Sequence, residues 1–130
     1  MTTVEDVKKY VESAMRDSDP GYKPIYVLML FEHPDKEFVY EETGKHSGFP
    51  DLGSSFEAGF YYDLDDAVSA MHENVCDIRE TVYSAGFVLV RFPGVYHPSG
   101  SYGRIYFVWD ENRKGFYEAE EPEIFSHVAY

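Results

Sequence analysis

Two arginines stand alone in the middle of this chain. Between Thr81 and Trp109 there is no acidic residue, and Arg91 and Arg104 are the only charged side chains. Arg91 follows "FVLV" and Arg104 precedes "IYFV", so each ends a hydrophobic run beside one polar stretch, "PGVYHPSGSYG", Pro93 to Gly103. If the two runs pair as a hairpin, both guanidinium groups reach its mouth, with Tyr96, His97, Ser99, Ser101 and Tyr102 between them. Guanidinium forks grip anions through paired hydrogen bonds, and aromatic rings stack on flat bases. Such a set suits a nucleotide-like anion. The plainer reading is a long hairpin loop whose polar residues face water. Two like charges repel unless an anion or an acid stands between them. Asp51 is one acid for that place.

A second unusual stretch, "GKHSGFPDLGSS", Gly44 to Ser55, carries three glycines, a proline and three serines. Read as a connection between strands, it would bring His46, Phe49 and Asp51 towards the Pro93–Gly103 loop and complete a polar and aromatic pocket. Alternatively, Phe49 and Leu52 pin it to the core as a packed Ω-loop with no ligand.

Other motifs are incomplete. "GFPDLGSS" has the glycine spacing of a phosphate-binding P-loop, but Ser54 stands where the lysine belongs. The stretch also feeds a strand pattern, not a helix, so the helix-end dipole is missing. "HENVC" spaces His72 and Cys76 as two metal ligands on adjoining helical turns, without an evident third ligand. Cys76 has Asp77 and Glu73 as its nearest charges, which disfavour a thiolate. It reads as a small buried thiol. Carboxylate spacings single out no catalytic pair among so many acids. No catalytic residue, metal or cofactor is expected.

The elements that must position these residues follow from periodicity. Thr2 and Glu5 have capping-box spacing, and Val4, Val7, Val11 and Ala14 share one helical face before Pro20 and Gly21 end the helix. "PIYVLMLFE" is apolar without alternation, as in a central strand covered on both faces. "KEFVYEE" reads as an edge strand guarded by charge. In "SFEAGFYYD", Phe56, Ala58, Phe60 and Tyr62 alternate, with Gly59 placed for a bulge. Asp63 is an N-cap for "LDDAVSAMHENV", whose Leu64, Ala67, Val68, Met71 and Val75 form the apolar face. "CDIRETVYS" extends that helix or forms a second helical piece. "AGFVLVRFP" is another buried strand, and "GRIYFVW" with "GFYEAEE" makes a hairpin across Asp110–Lys114. The expected order is α-β-β-β-α-β-β-β. This is a single α+β domain over 1–130, with a mainly antiparallel five- or six-stranded sheet. An N-terminal helix and one central helix pack on it.

Composition narrows the function. The chain has 130 residues, 24 acids against 11 bases, and a formal net charge of −13. Such a surface repels phosphate backbones and acidic membranes, so direct nucleic-acid binding and membrane attachment are not expected. One cysteine excludes an internal disulfide and fits a reducing cytoplasm. The N-terminal segment lacks the basic and apolar regions of a secretory signal. The leading expectation is a small, acidic, non-enzymatic interaction protein that engages a basic protein partner, as an inhibitor or a nucleic-acid mimic. A binder of a small anionic ligand is the first alternative, and a small hydrolase the second. The Val4, Val7, Val11 stripe and the aromatic strands also offer surface for a homodimer.

Overall fold

The computed structural model describes residues 1–16, 20–32, 36–39, 46–51, 55–75, 83–94 and 103–122, with backbone alone for 36–39, 46–51 and 55–56. The elements are α1 (Val4–Met15), β1 (Ile25–Phe31), β2 (Lys36–Val39), β3 (His46–Asp51), β4 (Ser55–Tyr61), α2 (Leu64–His72), β5 (Ala85–Arg91), β6 (Arg104–Asp110) and β7 (Gly115–Glu118). Five strands form one antiparallel sheet in the order β4-β1-β5-β6-β7, and β2 pairs with β3 in a separate two-stranded sheet. The fold is α+β with both helices on the main sheet, as the periodicity predicts.

The two apolar runs without alternation, β1 and β5, lie side by side in the sheet interior. Each is buried on both faces. Towards the helices, Tyr26, Leu28, Leu30, Val88 and Val90 join Ile105, Phe107 and Phe116 under Val7 and Val11 of α1 and Leu64, Ala67, Val68 and Met71 of α2. On the opposite face, Val27, Phe31, Ala85, Phe87, Leu89 and Tyr106 form a second apolar cluster.

Local chemistry fixes the ends of the elements. The capping box of α1 lies one residue later than the Thr2–Glu5 frame. Thr3 Oγ1 accepts from the Asp6 backbone N–H, and Asp6 Oδ2 accepts from the Thr3 N–H. The run Thr-Thr-Val-Glu-Asp supports either frame by spacing, and Val7 and Val11 of the helix are buried in the core. Asp63 caps α2, accepting from the N–H groups of Asp65 and Asp66. Asp110 folds the β6–β7 turn by accepting from the backbone of Asn112 and Arg113 and from Arg113 Nε. Those donors hold its carboxyl below the usual aspartate range, the backbone bond from Arg113 most of all.

Three expectations need correction. The Gly44–Ser55 stretch, read as a connection, contains strand β3, so four strands separate the helices. β2, expected at the edge of the main sheet, belongs instead to the two-stranded sheet. The bulge expected at Gly59 is present, and it breaks the alternation of Phe56, Ala58, Phe60 and Tyr62. Gly59 faces Leu28 and Glu57 faces Met29, which leaves Ala58 as the extra residue. Gly59 takes φ +136°, a conformation that favours glycine. Ala58 then packs towards the helices, while Phe60, opposite Val27, falls on the other face.

Candidate functional site

Register places the two arginines on one face. Arg104 is directly opposite Leu89, and Arg91 follows two residues after Leu89 on the same strand. Cross-strand partners and i, i+2 residues share a face. Both arginines therefore stand on the face away from the helices. Arg104 is only 5% exposed, and its guanidinium lies 4.9 Å from the centre of the Phe87 ring. Its Nε donates to Glu121 Oε2 at 3.4 Å, and its Nη2 donates to Glu121 Oε1. Arg91 is half-buried, with Nη1 donating to the Val90 carbonyl at 3.0 Å. Burial pushes its guanidinium below the ordinary arginine value, and the charge of Arg104 acts in the same direction. Glu57 opposes both effects.

Glu121 is the acid that the sequence reading did not assign. The β6–β7 ladder sets Phe107 opposite Glu118. The Ala119 N–H donates to the Tyr106 carbonyl, carrying the same register beyond the strand. Two further steps bring Glu121 opposite Arg104. The predicted hairpin therefore contained the pair. Of the other residues proposed for the anion site, Tyr96, His97 and Tyr102 lie outside the described residues. His46, Phe49 and Asp51 are placed on β3 by their backbone.

His72 has a different setting from the one its spacing suggested. α2 ends at His72, and Asn74 turns left-handed with φ 50°. Cys76, the other member of that spacing, lies outside the described residues. Instead, His72 Nε2 lies 2.5 Å from Glu118 Oε1 on β7. A carboxylate only accepts, so the imidazole N–H donates. The ring stacks on Tyr117, 4.6 Å between centroids, and Arg113 caps the stack 3.6 Å from the Tyr117 centroid. Among the described residues, no group of three or more His, Cys, Asp or Glu is placed to hold a metal ion. Nor is any described helix long and apolar enough to cross a membrane.

Among the described residues, the most exposed aromatic pair lies where β4 runs into α2. Tyr62 is 82% exposed and Phe60 51%, and their rings meet edge to face at 5.8 Å. Exposed single aromatics are ordinary, but an adjoining pair is a patch. Exposed Glu57 precedes it on β4, and exposed Asp63, Asp65 and Asp66 follow it. Lys8 of α1 pairs with Asp65 at 3.3 Å, so α1 supplies one counter-charge to this acidic corner. Beneath it, burial raises the Tyr26 phenol above its ordinary pKa, and the charges of Asp63 and Asp65 reinforce the shift.

No protein-family model, curated protein or solved structure matches this chain. The acidic aromatic corner combines rigid rings with a local excess of carboxylates. That combination suits contact with cationic side chains lying on an aromatic surface.

Proposed function

We propose that this protein acts by binding a basic protein partner, as an inhibitor or nucleic-acid mimic, and that the β4–α2 corner carries the contact. One observation supports the location: two large aromatic side chains, Phe60 and Tyr62, project beside Glu57, Asp63, Asp65 and Asp66. Tyrosines supply large contact area with little side-chain entropy to lose, and they recur among the energetically dominant residues of interfaces. The net charge of −13 adds long-range attraction to a cationic surface. The test compares immobilised wild type with Phe60→Ala/Tyr62→Ala and with Glu57→Lys/Asp66→Lys. Proteins retained from a cell extract are eluted with increasing salt. A partner eluted by moderate salt and missing from both variants is the expected result. If every retained protein still binds the charge-reversed variant, the corner is not the contact.

A second reading, capture of a small nucleotide-like anion, rests on the shared face of Arg91 and Arg104. Thermal-shift measurements with a nucleotide panel test it, because a ligand that prefers the native state raises the melting temperature. A panel that produces no shift counts against this reading.

A further inference from the structure

We infer that the basic partner is held as an extended segment that adds a sixth strand to the open edge of β4. This inference rests on the acidic corner proposed above and specifies how its partner binds.

The five-stranded sheet has two edges, β4 and β7. The β7 edge is four residues long, and its turn is guarded by charge: Arg113 lies over Tyr117, and Lys114 pairs with Glu111. Short, charged edges resist pairing with another chain. The β4 edge is seven residues long and carries no lysine, arginine or proline. Its inner side pairs with β1 except at the Ala58 bulge, and no described residue pairs with its outer side. Among its described residues, Glu57 and the Ala58–Gly59 bulge protect it, and beyond the bulge Phe60 and Tyr61 resume the β1 register. An edge of this kind presents backbone N–H and C=O groups that an incoming strand satisfies.

The two sides of this edge differ, and the difference specifies the partner. Phe60 projects on the face away from the helices with the Tyr62 ring against it, and Glu57, opposite Met29, stands on that face nearer the start of the strand. On the helix side stands α2, whose first turn carries Asp66 and, paired with Lys8 of α1, Asp65. Side chains of a strand alternate between faces. The fitting segment therefore alternates lysine or arginine, directed towards the α2 carboxylates, with apolar residues directed towards the two rings. A second copy of this chain fits poorly. It would pair two chains that each carry a net charge of −13.

The probe is a synthetic ten-residue peptide of alternating lysine and valine, with two controls: the same peptide methylated on its backbone nitrogens, and a helical lysine–alanine peptide of equal charge. Affinity is read by the Tyr and Trp fluorescence of the full chain, and backbone pairing by amide hydrogen exchange. The expected result is slowed exchange at Phe60–Tyr62 with the alternating peptide and at least tenfold weaker binding of the methylated one. If all three peptides bind equally and Glu57→Lys/Asp66→Lys weakens them all, strand addition is overturned while the acidic-corner reading stands. If none binds, both fall. A concentration-dependent dimer that protects the same amides without peptide overturns the inference in favour of self-pairing.

Discussion

Removing the Glu121 carboxylate tests the arginine face most directly. Arg104 is 5% exposed and Glu121 24%, so the carboxylate is the wetter partner of a largely buried pair. Breaking a buried pair by deleting one partner costs about 3–5 kcal/mol, and a hydrogen bond to a charged group contributes about 1.5–3 kcal/mol. Water can reach part of the Glu121 position, which places Glu121→Ala near the overlap, at about 3 kcal/mol. For a domain of this size that corresponds to a melting temperature lower by about 10 °C. The neighbouring Arg91 adds to the effect, since its like charge already acts on this face. Replacing both partners by apolar residues, Arg104→Met/Glu121→Leu, removes the charge together with its counter-charge and fills the space over Phe87. That variant is expected to lie closer to wild type than Glu121→Ala. The assay is urea unfolding followed by the fluorescence of Trp109, the single tryptophan, whose ring packs against Phe116 at 5.2 Å. The difference should persist at 1 M salt, because a buried pair is screened little. A Glu121→Ala midpoint within about 0.5 kcal/mol of wild type would refute the reasoning, the usual range for surface changes.

Three further outcomes are expected from the same unfolding assay. Gly115→Ala places a Cβ 1.9 Å from the His72 carbonyl oxygen, where backbone meets backbone and one of them must shift; a loss of at least about 1–3 kcal/mol is expected. Asp63→Ala removes the acceptor for two N–H groups of α2 and is expected to cost about 0.5–2 kcal/mol. Tyr26 is held neutral in the fold beyond the pH at which the unfolded phenol ionises, so its contribution is complete below about pH 10 and falls as pH rises further. Wild type should therefore lose stability relative to Tyr26→Phe above pH 10. A constant difference between the two across that range would contradict the shift.

What the sequence revealed was what local chemistry controls. The continuous apolar runs of β1 and β5 could only be buried strands, and the Asp63 cap and Leu64–Met71 stripe defined α2. The β6–β7 hairpin was legible from its turn, and its register already implied Glu121 beside Arg104. β3 was hidden because "HSGFPD" contains serine, glycine and proline and has little strand propensity of its own; pairing with β2 gives it its form. The His72–Glu118 contact joins residues 46 positions apart, and no local pattern connects them. The exposed Phe60–Tyr62 pair was masked by apparent alternation, since a single extra residue, Ala58, changes the face on which every later side chain emerges.

The position of β1 has a consequence for how the chain is made. Its neighbours in the sheet, β4 and β5, both follow it in sequence, so the most apolar segment leaves the ribosome before either strand that will cover its edges. At about 5–20 residues per second, the roughly 60 residues from Phe31 to Arg91 take about 3–12 s to appear. Until β4 emerges, about 30 residues on, "IYVLMLF" has two unsatisfied edges, and until β5 follows it has one, so it resembles a strand seeking a partner. Variants that delay β4 or β5 should reduce soluble yield during synthesis more than they reduce the stability of the finished protein.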